Sequence, residues 1–419
     1  MISNLTRSIG ICISFTVAWV NASVVNGQEI SDWPAWRGAK GDGISAESTM
    51  PPVTWDEATH VKWTRPIPGK GHGSPIVVGK QVIVAIADVE DQIQGLISLD
   101  RNTGQEQWRC VVHKGGLKVE GNKKASLASS TPFCDGKRLY INFLNESAVF
   151  TSAVTLDGKL AWQQKISDYT VHQGYGSSPR VYEDLVIVSA DNKGGGAIAA
   201  MDRESGEVKW KIERPKFPNY ASPIVLQAHG QDQLIFTGCE LVTSIDPQSG
   251  KKLWEIEGAT TECVTTSVTD GQRVFTSGGY PKNHVSAVRA DGSGKIEWEN
   301  NVRVYVPSML LTQGHLYAVA DAGVAICWNS ETGQEMWKER LGGTFSASPV
   351  MIGDRIYATN EEGTTFVFQV SPQTFELLGS STLGDESFST PAIAGGNLFL
   401  RYAKYDGDHR QEYVACVSE

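Results

Sequence analysis

One phrase recurs along most of the chain, and this repeat restricts the possible folds more than any other feature. It opens with Ser or Thr followed by Pro and alternating apolar residues, and it closes with Asp-x-x-Thr/Ser-Gly-x-x-x-Trp. The first copy runs from Ser74-Pro75 through Asp100 to Trp108. Such units bury their apolar faces against their neighbours, so the repeat predicts a solenoid, a propeller or a similar array.

Each copy reads as four short strands, which is typical of a propeller blade. The proline suits the start of a first strand, a Gly-containing turn precedes the second, the Asp ends the third and the Trp lies on the fourth. Eight openings occur, roughly 40 to 57 residues apart: Ser74-Pro75, Thr131-Pro132, Ser178-Pro179, Ser222-Pro223, Ser267-Val268, Pro307-Ser308, Ser348-Pro349 and Thr390-Pro391.

The closing turn has a mechanical explanation. The Asp carboxylate can accept hydrogen bonds from turn amides, and Gly supplies the positive φ that a bulged hairpin needs. The Trp lies on the outermost strand, where a large flat side chain can dock between neighbouring blades. This interpretation assigns blade docking to Trp63, Trp108, Trp162, Trp210, Trp254, Trp298 and Trp337.

The two ends of the chain indicate a closed ring. The last copy supplies only three strands, whereas a lone fourth-strand sequence, His60-Val61-Lys62-Trp63, stands near the N-terminus. Pairing it with the stretch from Tyr413 to Val417 removes the free edges of an open array. The sequence therefore predicts an all-β, eight-bladed β-propeller of four-stranded antiparallel blades, closed by an N-terminal strand that joins the C-terminal blade.

The first 27 residues predict a cleaved signal peptide, followed by a lead-in at 28–55 and a single propeller domain at 56–419. Arg7 precedes an apolar stretch of about a dozen residues, too short to cross a bilayer, and small-residue cleavage options follow it. A lipid-attachment site has a small residue just ahead of its cysteine, whereas Ile11 precedes Cys12 here. We therefore expect no lipid anchor. The expected location is outside the cytoplasm, in the periplasm or the extracellular space.

Charge and cysteine content narrow the partners and the chemistry. With 37 basic and 47 acidic residues the formal charge is −10, which disfavours nucleic acid and anionic membranes as partners. Six cysteines follow the signal peptide, with spacings unlike a zinc motif. We interpret them as buried free thiols, although a bridge between Cys239 and Cys263 at the funnel face is conceivable.

The loops that join blades converge on one face of a propeller, around its central channel. That face, which we call the funnel face, is the expected ligand site. The segments before each opening place there His72, His172, Tyr175, Tyr220, Glu262, Arg303, Tyr305, Phe345 and Glu386. These side chains either bind a small molecule or peptide, with a histidine able to move protons, or fill the channel and bond to one another.

The repeat resembles the PQQ-type repeat of eight-bladed propellers, a family that includes quinoprotein alcohol dehydrogenases and the outer-membrane assembly scaffold BamB. The lead-in from Trp33 to Gly38 resembles that of secreted bacterial members. If this chain were similar to the dehydrogenases in function too, the resemblance would imply two adjacent cysteines over pyrroloquinoline quinone (PQQ) and a Trp platform beneath it. It would also imply a Glu-Asn-Asp set for Ca²⁺ and base catalysis. This chain has no adjacent cysteine pair, and none of its residues matches the calcium set.

The favoured hypothesis is therefore a non-catalytic binding or scaffold protein that presents its funnel-face loops to a protein or polymer of the cell envelope. It assigns no catalytic residue, no metal site and no cofactor. The first alternative is an oxidoreductase that holds PQQ with calcium and oxidises alcohols or sugars. The second is a glycan-handling enzyme with Glu262 or Glu386 as acid or base, which would need two carboxyl groups roughly 5 to 10 Å apart.

Overall fold

The computed structural model describes residues 32–419, which form eight β-sheets of antiparallel blades and contain no helix. The predicted all-β, eight-bladed propeller is confirmed. The predicted signal peptide lies outside the described residues, and the lead-in is described from Asp32 onward. Within the part of the chain that is described, no helix has the length and apolarity of a membrane span.

The strands follow one another around the ring in chain order. Two come before the first blade: β1 (Ile44–Ser45) and β2 (Val61–Ile67). Blades 1 to 4 are β3 (Ile76–Val78), β4 (Gln81–Asp88), β5 (Ile93–Asp100), β6 (Glu106–Lys114); β7 (Phe133–Cys134), β8 (Arg138–Asn145), β9 (Ala148–Thr155), β10 (Leu160–Asp168); β11 (Arg180–Tyr182), β12 (Leu185–Ser189), β13 (Ala197–Asp202), β14 (Val208–Glu213); and β15 (Ile224–Ala228), β16 (Gln231–Gly238), β17 (Leu241–Ile245), β18 (Lys252–Glu257).

The second half of the ring repeats this plan. Blades 5 to 8 are β19 (Val268–Thr269), β20 (Arg273–Gly278), β21 (His284–Arg289), β22 (Ile296–Asn300); β23 (Leu310–Thr312), β24 (His315–Ala320), β25 (Val324–Asn329), β26 (Glu335–Arg340); β27 (Val350–Ile352), β28 (Arg355–Thr359), β29 (Thr364–Gln369), β30 (Leu377–Thr382); and β31 (Ala392–Ala394), β32 (Asn397–Asp406), β33 (His409–Val417) with β2. Strand β1 adds to blade 7 in parallel with β27.

Blade 8 closes the ring as the sequence predicted. Strand β2 pairs antiparallel with β33, with Val61 opposite Val417, Trp63 opposite Cys416 and Ile67 opposite Glu412. Residues from both strands lie in an apolar core that continues into the neighbouring blades 1 and 7. The first and last strands of the propeller therefore share one sheet.

The closing turn folds as expected in the copies that carry the full motif. In blade 1 the Asp100 carboxylate accepts hydrogen bonds from the backbone N–H groups of Asn102 and Thr103, at 3.0 and 2.9 Å. Gly104 follows with φ of 67°. The Asp thus satisfies the turn amides, and the Gly adopts the left-handed conformation that reverses the chain.

The same glycine is also the docking point for the tryptophan of the preceding blade. A Cβ on Gly206 in blade 3 would lie 2.7 Å from the indole of Trp162 in blade 2. The Trp162 N–H donates to the carbonyl of Arg203 in the same turn, at 3.1 Å. Five other predicted docking residues bond equivalent carbonyls in the next blade: Trp63, Trp108, Trp210, Trp298 and Trp337.

Trp254 departs from this pattern because its N–H donates to the Gln233 side chain of its own blade. In blade 7, Gly379 stands where the other blades carry Trp, opposite Val367. The lead-in occupies the space there: Val53 and Thr54 lie beside Gly379, and Trp55 is 5% exposed in the adjoining core. A segment remote in sequence thus replaces the missing side chain.

A second interblade contact explains the recurring Ser or Thr before each proline. The backbone N–H of Thr131 donates to the Ser178 hydroxyl of the next blade, and the N–H of Ser178 donates to that of Ser222, both at 2.9 Å. We call these residues the hydroxyl belt. Further bonds of this kind, each 2.9 Å, run from Ser74 to Thr131, Thr266 to Ser308, Ser308 to Ser348, and Ser348 to Thr390. In blade 5 the belt residue is Thr266, one position before the predicted opening.

The lead-in lies across the face opposite the funnel face and touches every blade. Arg37, 1% exposed, donates to three carbonyls, and burial lowers its pKa to about 10. The contacts, from blade 1 to blade 8, are Trp33 with Val77, Pro34 with Cys134, Ala39 with Arg180, Gly41 with Ile224, Trp36 with Thr266, Arg37 with Met309, Ile44 with Met351, and Glu47 with Gly396. The lead-in therefore plugs one end of the channel.

We expect Gly206→Ala to destabilise the protein more than Gly230→Ala. Both glycines have φ of 76°, but no atom lies within 4 Å of a Cβ on Gly230. Gly230→Ala should cost only backbone strain of about 1–2 kcal/mol, whereas Gly206→Ala must also displace Trp162, adding roughly 1–3 kcal/mol. Urea unfolding of the two variants measures the difference, and equal losses would contradict the docking role of the turn glycine.

Deletion of residues 56–67 should abolish cooperative melting and promote aggregation. The deletion removes β2, exposes the edge of β33 and opens the core that they share. Calorimetry and light scattering measure the two effects. A matched control shortens the surface loop at residues 118–123, which contains no strand. A deletion variant that melts like its parent would refute closure through β2.

Candidate functional site

A cavity of about 350 Å³ lies on the channel axis, between the lead-in and the funnel face. Trp36 of the lead-in forms its floor and donates its indole N–H to Thr266, at 3.0 Å. The hydroxyl belt contributes Thr131, Ser178, Ser222 and Thr390 to the walls. Toward the funnel face the lining residues include Gln173, Tyr175, Tyr220, Tyr305 and Phe388. The blade loops that were predicted to converge therefore help to enclose this cavity.

A long connection between blades 1 and 2 partly covers the mouth of this cavity. We call residues 115–130 the strap. Asn122 bonds Gln173 through both backbone and side chain. Lys124 Nζ lies 2.6 Å from Oε2 of Glu361 in blade 7, so this ion pair crosses the mouth. The strap corresponds to the longest interval between openings in the sequence.

His72 lies at the cavity wall beneath the strap. Its backbone N–H donates to the Ala128 carbonyl and the Ser126 hydroxyl, at 3.0 and 3.1 Å. Its ring centroid is 4.4 Å from that of Phe388, and its Nε2 atom is buried without a hydrogen-bond partner. Burial lowers the pKa of His72 well below its usual value, and nearby cations, Lys70 first among them, lower it further. The neutral imidazole is the stable form.

Three predicted residues from different blade junctions form one hydrogen-bonded cluster. Glu262, 4% exposed, accepts a bond from the Tyr305 hydroxyl at 3.1 Å, and its other oxygen lies 3.0 Å from His172 Nε2. Burial and the Glu262 charge raise the pKa values of Tyr305 and Tyr220. The Tyr220 hydroxyl accepts the backbone N–H of Gln173, at 3.2 Å. Both phenols therefore stay protonated and can donate.

Arg303 and Asp321 hold Tyr305 in place. The guanidinium carbon of Arg303 is 4.9 Å from the Tyr305 ring centroid, and its Nη1 donates to the Gly279 carbonyl at 2.9 Å. The Asp321 carboxylate accepts the Tyr305 backbone N–H at 2.8 Å, and burial raises the pKa of Asp321. The arginine is thus engaged in positioning an aromatic wall of the cavity.

The remaining predicted residues occupy different places. Tyr175 lines the cavity, and its hydroxyl donates to the Ser189 carbonyl at 2.9 Å. Phe345 does not line it, since it is 1% exposed and packs in the core between blades 6 and 7. Glu386 bonds Arg410 and Tyr405 on blade 8 instead of facing the cavity. Phe345 is apolar, so it is buried in this core. Glu386 is held on blade 8 by its bonds to Arg410 and Tyr405.

Some lining residues were missed at the sequence level. Trp36 was recognised only as part of the lead-in, and nothing in the repeat shows that the lead-in crosses the channel axis. The belt hydroxyls were attributed to strand architecture. Their strict recurrence at the start of every innermost strand was the available signal, because innermost strands face the axis.

The family comparison assigns the fold to a known group. The family model described as outer membrane protein assembly factor BamB matches residues 51–143, 94–339 and 281–404. Together these matches cover most of the chain. The chain belongs to this family.

Individual relatives are more distant. The BamB of Legionella pneumophila (strain Paris) is 25% identical over 195 residues, which are 43% of this chain and 47% of that protein. The chain therefore aligns with about half the length of this curated relative. The resemblance in sequence is partial, whereas the architecture matches over a longer span.

Solved structures share the propeller at low sequence identity. BamB from Moraxella catarrhalis superposes with a TM-score of 0.60 at 13% identity, covering 86% of this chain and 97% of that one. The quinohemoprotein alcohol dehydrogenase of Comamonas testosteroni gives 0.67 at 12% identity, covering 93% and 81%. A europium-containing methanol dehydrogenase gives 0.65 at 12% identity, covering 89% and 90%. These likenesses show the fold alone.

The cavity of this BamB-family chain does not fit PQQ with calcium. No carboxylate lines it, and among residues 32–419 no group of three or more His, Cys, Asp or Glu side chains is arranged to hold a metal ion. All six cysteines of this region are buried free thiols, so Cys239 and Cys263 form no bridge. Glu262 and Glu386 lie in separate bonded networks, so they offer no pair of facing acids.

Substitution of His72 should reduce the amount of stability that the protein loses in mild acid. In the unfolded chain a histidine takes up a proton near pH 6.5, whereas the folded protein resists protonation of His72. The contribution of His72 to the free energy of unfolding is therefore complete above that pH. It falls as the pH decreases, by at most about 1.4 kcal/mol per pH unit. Urea unfolding at pH 7.5 and 5.5 should show a smaller difference for His72→Gln than for the parent. The exposed His229→Gln is the control, and an equal reduction there would contradict the assignment.

Proposed function

We propose that this chain is a non-catalytic binding protein of the bacterial cell envelope that docks a protein partner across its funnel face. One observation carries the proposal: apart from the outer edges of the blades, the large apolar side chains that the described residues expose all lie on that face. The family description, outer membrane protein assembly factor, supports the envelope setting.

The exposed apolar side chains fall into two groups by topology. One group lies on fourth strands, at the blade edges: Val111, Leu160, Val208, Ile296, Met336 and Leu377. The other lies on the funnel face, with four residues on loops and the last near the end of strand β32: Val89, Val119, Phe217, Tyr280 and Tyr405. No residue of either group lies on the turns of the opposite face themselves; Leu160, Val208, Ile296 and Leu377 begin the outer strands that follow those turns.

An asymmetric distribution of this kind favours docking. Exposed apolar side chains gathered on one face mark interaction sites, because they gain free energy when a partner covers them. These residues come from blades 1, 5 and 8, from the connection between blades 1 and 2, and from the connection between blades 3 and 4. A partner that contacts several blades at once would be recognised through the relative positions of those blades.

The opposite face is unsuited to the same role. The lead-in lies across it and uses the blade turns there for its own contacts, as with Glu47 and Gly396. The predicted signal peptide would deliver the protein to the periplasm or the exterior.

Site-specific photo-crosslinking in living cells tests this proposal. A benzoylphenylalanine at Val119, Phe217 or Tyr280 should give a discrete crosslinked species, because these side chains lie at the docking face. Matched positions on the opposite face, Lys80 and Glu331, should give little or none. Crosslinks of equal yield from both faces, or none from the funnel face, would refute the proposal.

The oxidoreductase alternative is tested separately with PQQ and Ca²⁺. Purified protein incubated with both should show neither a bound-quinone absorbance nor dye-linked oxidation of alcohols or sugars, since the lining of the cavity supplies no carboxylate for calcium. Activity that tracks the bound quinone would overturn the non-catalytic assignment.

A further inference from the structure

We propose that the axial cavity is a binding site for a neutral, hydroxyl-rich ring of the pyranose class, supplied as a free sugar or as the terminal unit of an envelope glycan. The argument combines the charge, hydrogen-bonding capacity, aromatic surface and size of the cavity. It goes beyond the docking role, because the exposed apolar loop residues, Val119 and Tyr280 among them, do not line the cavity.

The charge of the cavity wall favours a neutral ligand. Lys124 is the one ionised side chain among the lining residues, and its ammonium is already paired with Glu361 at 2.6 Å. The Glu361 carboxylate also accepts the Ser346 hydroxyl, at 2.7 Å. An anion would compete with Glu361 for this ammonium, and a cation would find no carboxylate in the wall. Either charge would lose more hydration on entry than a neutral ligand.

The hydroxyl belt supplies the hydrogen-bond donors. The oxygens of Thr131, Ser178 and Thr390 each accept one backbone N–H, and the three residues are between 1 and 3% exposed. A hydroxyl that accepts one bond keeps its own hydrogen and a second lone pair. Each of these hydroxyls can therefore both donate to and accept from a ligand, as the hydroxyls of a sugar ring require. The unpartnered Nε2 of His72 adds a further polar atom at the wall.

The aromatic side chains supply the stacking surface. Trp36 closes the floor, and Tyr220, Tyr305 and Phe388 stand around the mouth. An aromatic face carries partial negative charge, so it attracts the C–H groups on the face of a pyranose, which carry partial positive charge. The combination of aromatic faces with neutral polar groups is what binding a compact polyol requires.

The size of the cavity limits the ligand to one or two rings. Its volume of about 350 Å³ lies at the lower end of the roughly 300–1,000 Å³ typical of small-molecule sites. The plugged floor prevents a polymer from threading through the channel. A glycan could therefore enter only by its end, past the Lys124–Glu361 pair.

Calorimetric titration of the full chain tests the proposal. The probes are glucose, N-acetylglucosamine and cellobiose, with glucosamine and glucuronate as charged analogues. At least one neutral sugar should bind with a stoichiometry of one, and its charged analogue should bind at least tenfold more weakly. Methyl glycosides and a neutral polysaccharide distinguish the sources, because only a site for glycan ends accepts both.

Variants locate the binding. Trp36→Leu removes the stacking surface, and Trp36→Phe keeps it. Thr131→Val removes a belt hydroxyl, and Thr131→Ser keeps it. We expect roughly five- to tenfold weaker binding for the first member of each pair and near-parental binding for the second. Melting curves check that each variant is folded, and the Trp36 pair remains informative if Thr131→Val unfolds.

Three outcomes would overturn the proposal. One is the absence of binding by every neutral sugar at concentrations up to about 10 mM. Another is binding that neither Trp36→Leu nor Thr131→Val weakens. The third is preferential binding of PQQ or of a short peptide at the same site. Crosslinking from Tyr280 is independent of all three, so failure of the sugar site leaves the docking proposal to its own test.

Discussion

Backbone pairing between β2 and β33 converts a row of eight blades into a ring. A blade presents an apolar face on each side, and only a closed circle covers all of them. Residues near position 61 therefore meet residues near 417, and the core at this junction contains side chains of the lead-in, blade 1, blade 7 and blade 8. Without this sheet the interblade contacts would end at two exposed edges, and the axial cavity would have no complete wall.

Two small contacts repeat around the ring and set its geometry. At the outer side, a tryptophan lies on the turn glycine of the next blade at most junctions, as Trp162 does on Gly206. At the inner side, six of the eight blade junctions have a backbone N–H that donates to the hydroxyl of the next blade, as Thr131 does with Ser178. Neither contact is strong alone. Because one fixes the rim and the other the axis, the angle between blades is determined at both radii, and the axial residues meet at defined distances.

The sequence was sufficient for the fold because the repeat carries its own boundary signals. Asp100, Gly104 and Trp108 mark one turn and one strand, and the lone segment before Trp63 marks the closure. The candidate site was less predictable. His172, Glu262 and Tyr305 could be placed on one face, but their bonding depends on side-chain directions that no period encodes. Trp36 and Lys124 reach the cavity from segments that break the repeat, and Phe345 leaves it because its apolar ring gains more in the core.

The course of the lead-in has a consequence for biosynthesis. This segment is synthesised before any of the eight blades, yet its contacts with Met351 and Gly396 and the pairing of β2 need residues from the last two blades. Blades can form one after another, but the early segment stays without these partners until blades 7 and 8 have been synthesised. Its tryptophans and the unpaired strand would meanwhile be open to misassociation. Closure of the ring as the last step of folding is the order of events that this topology favours.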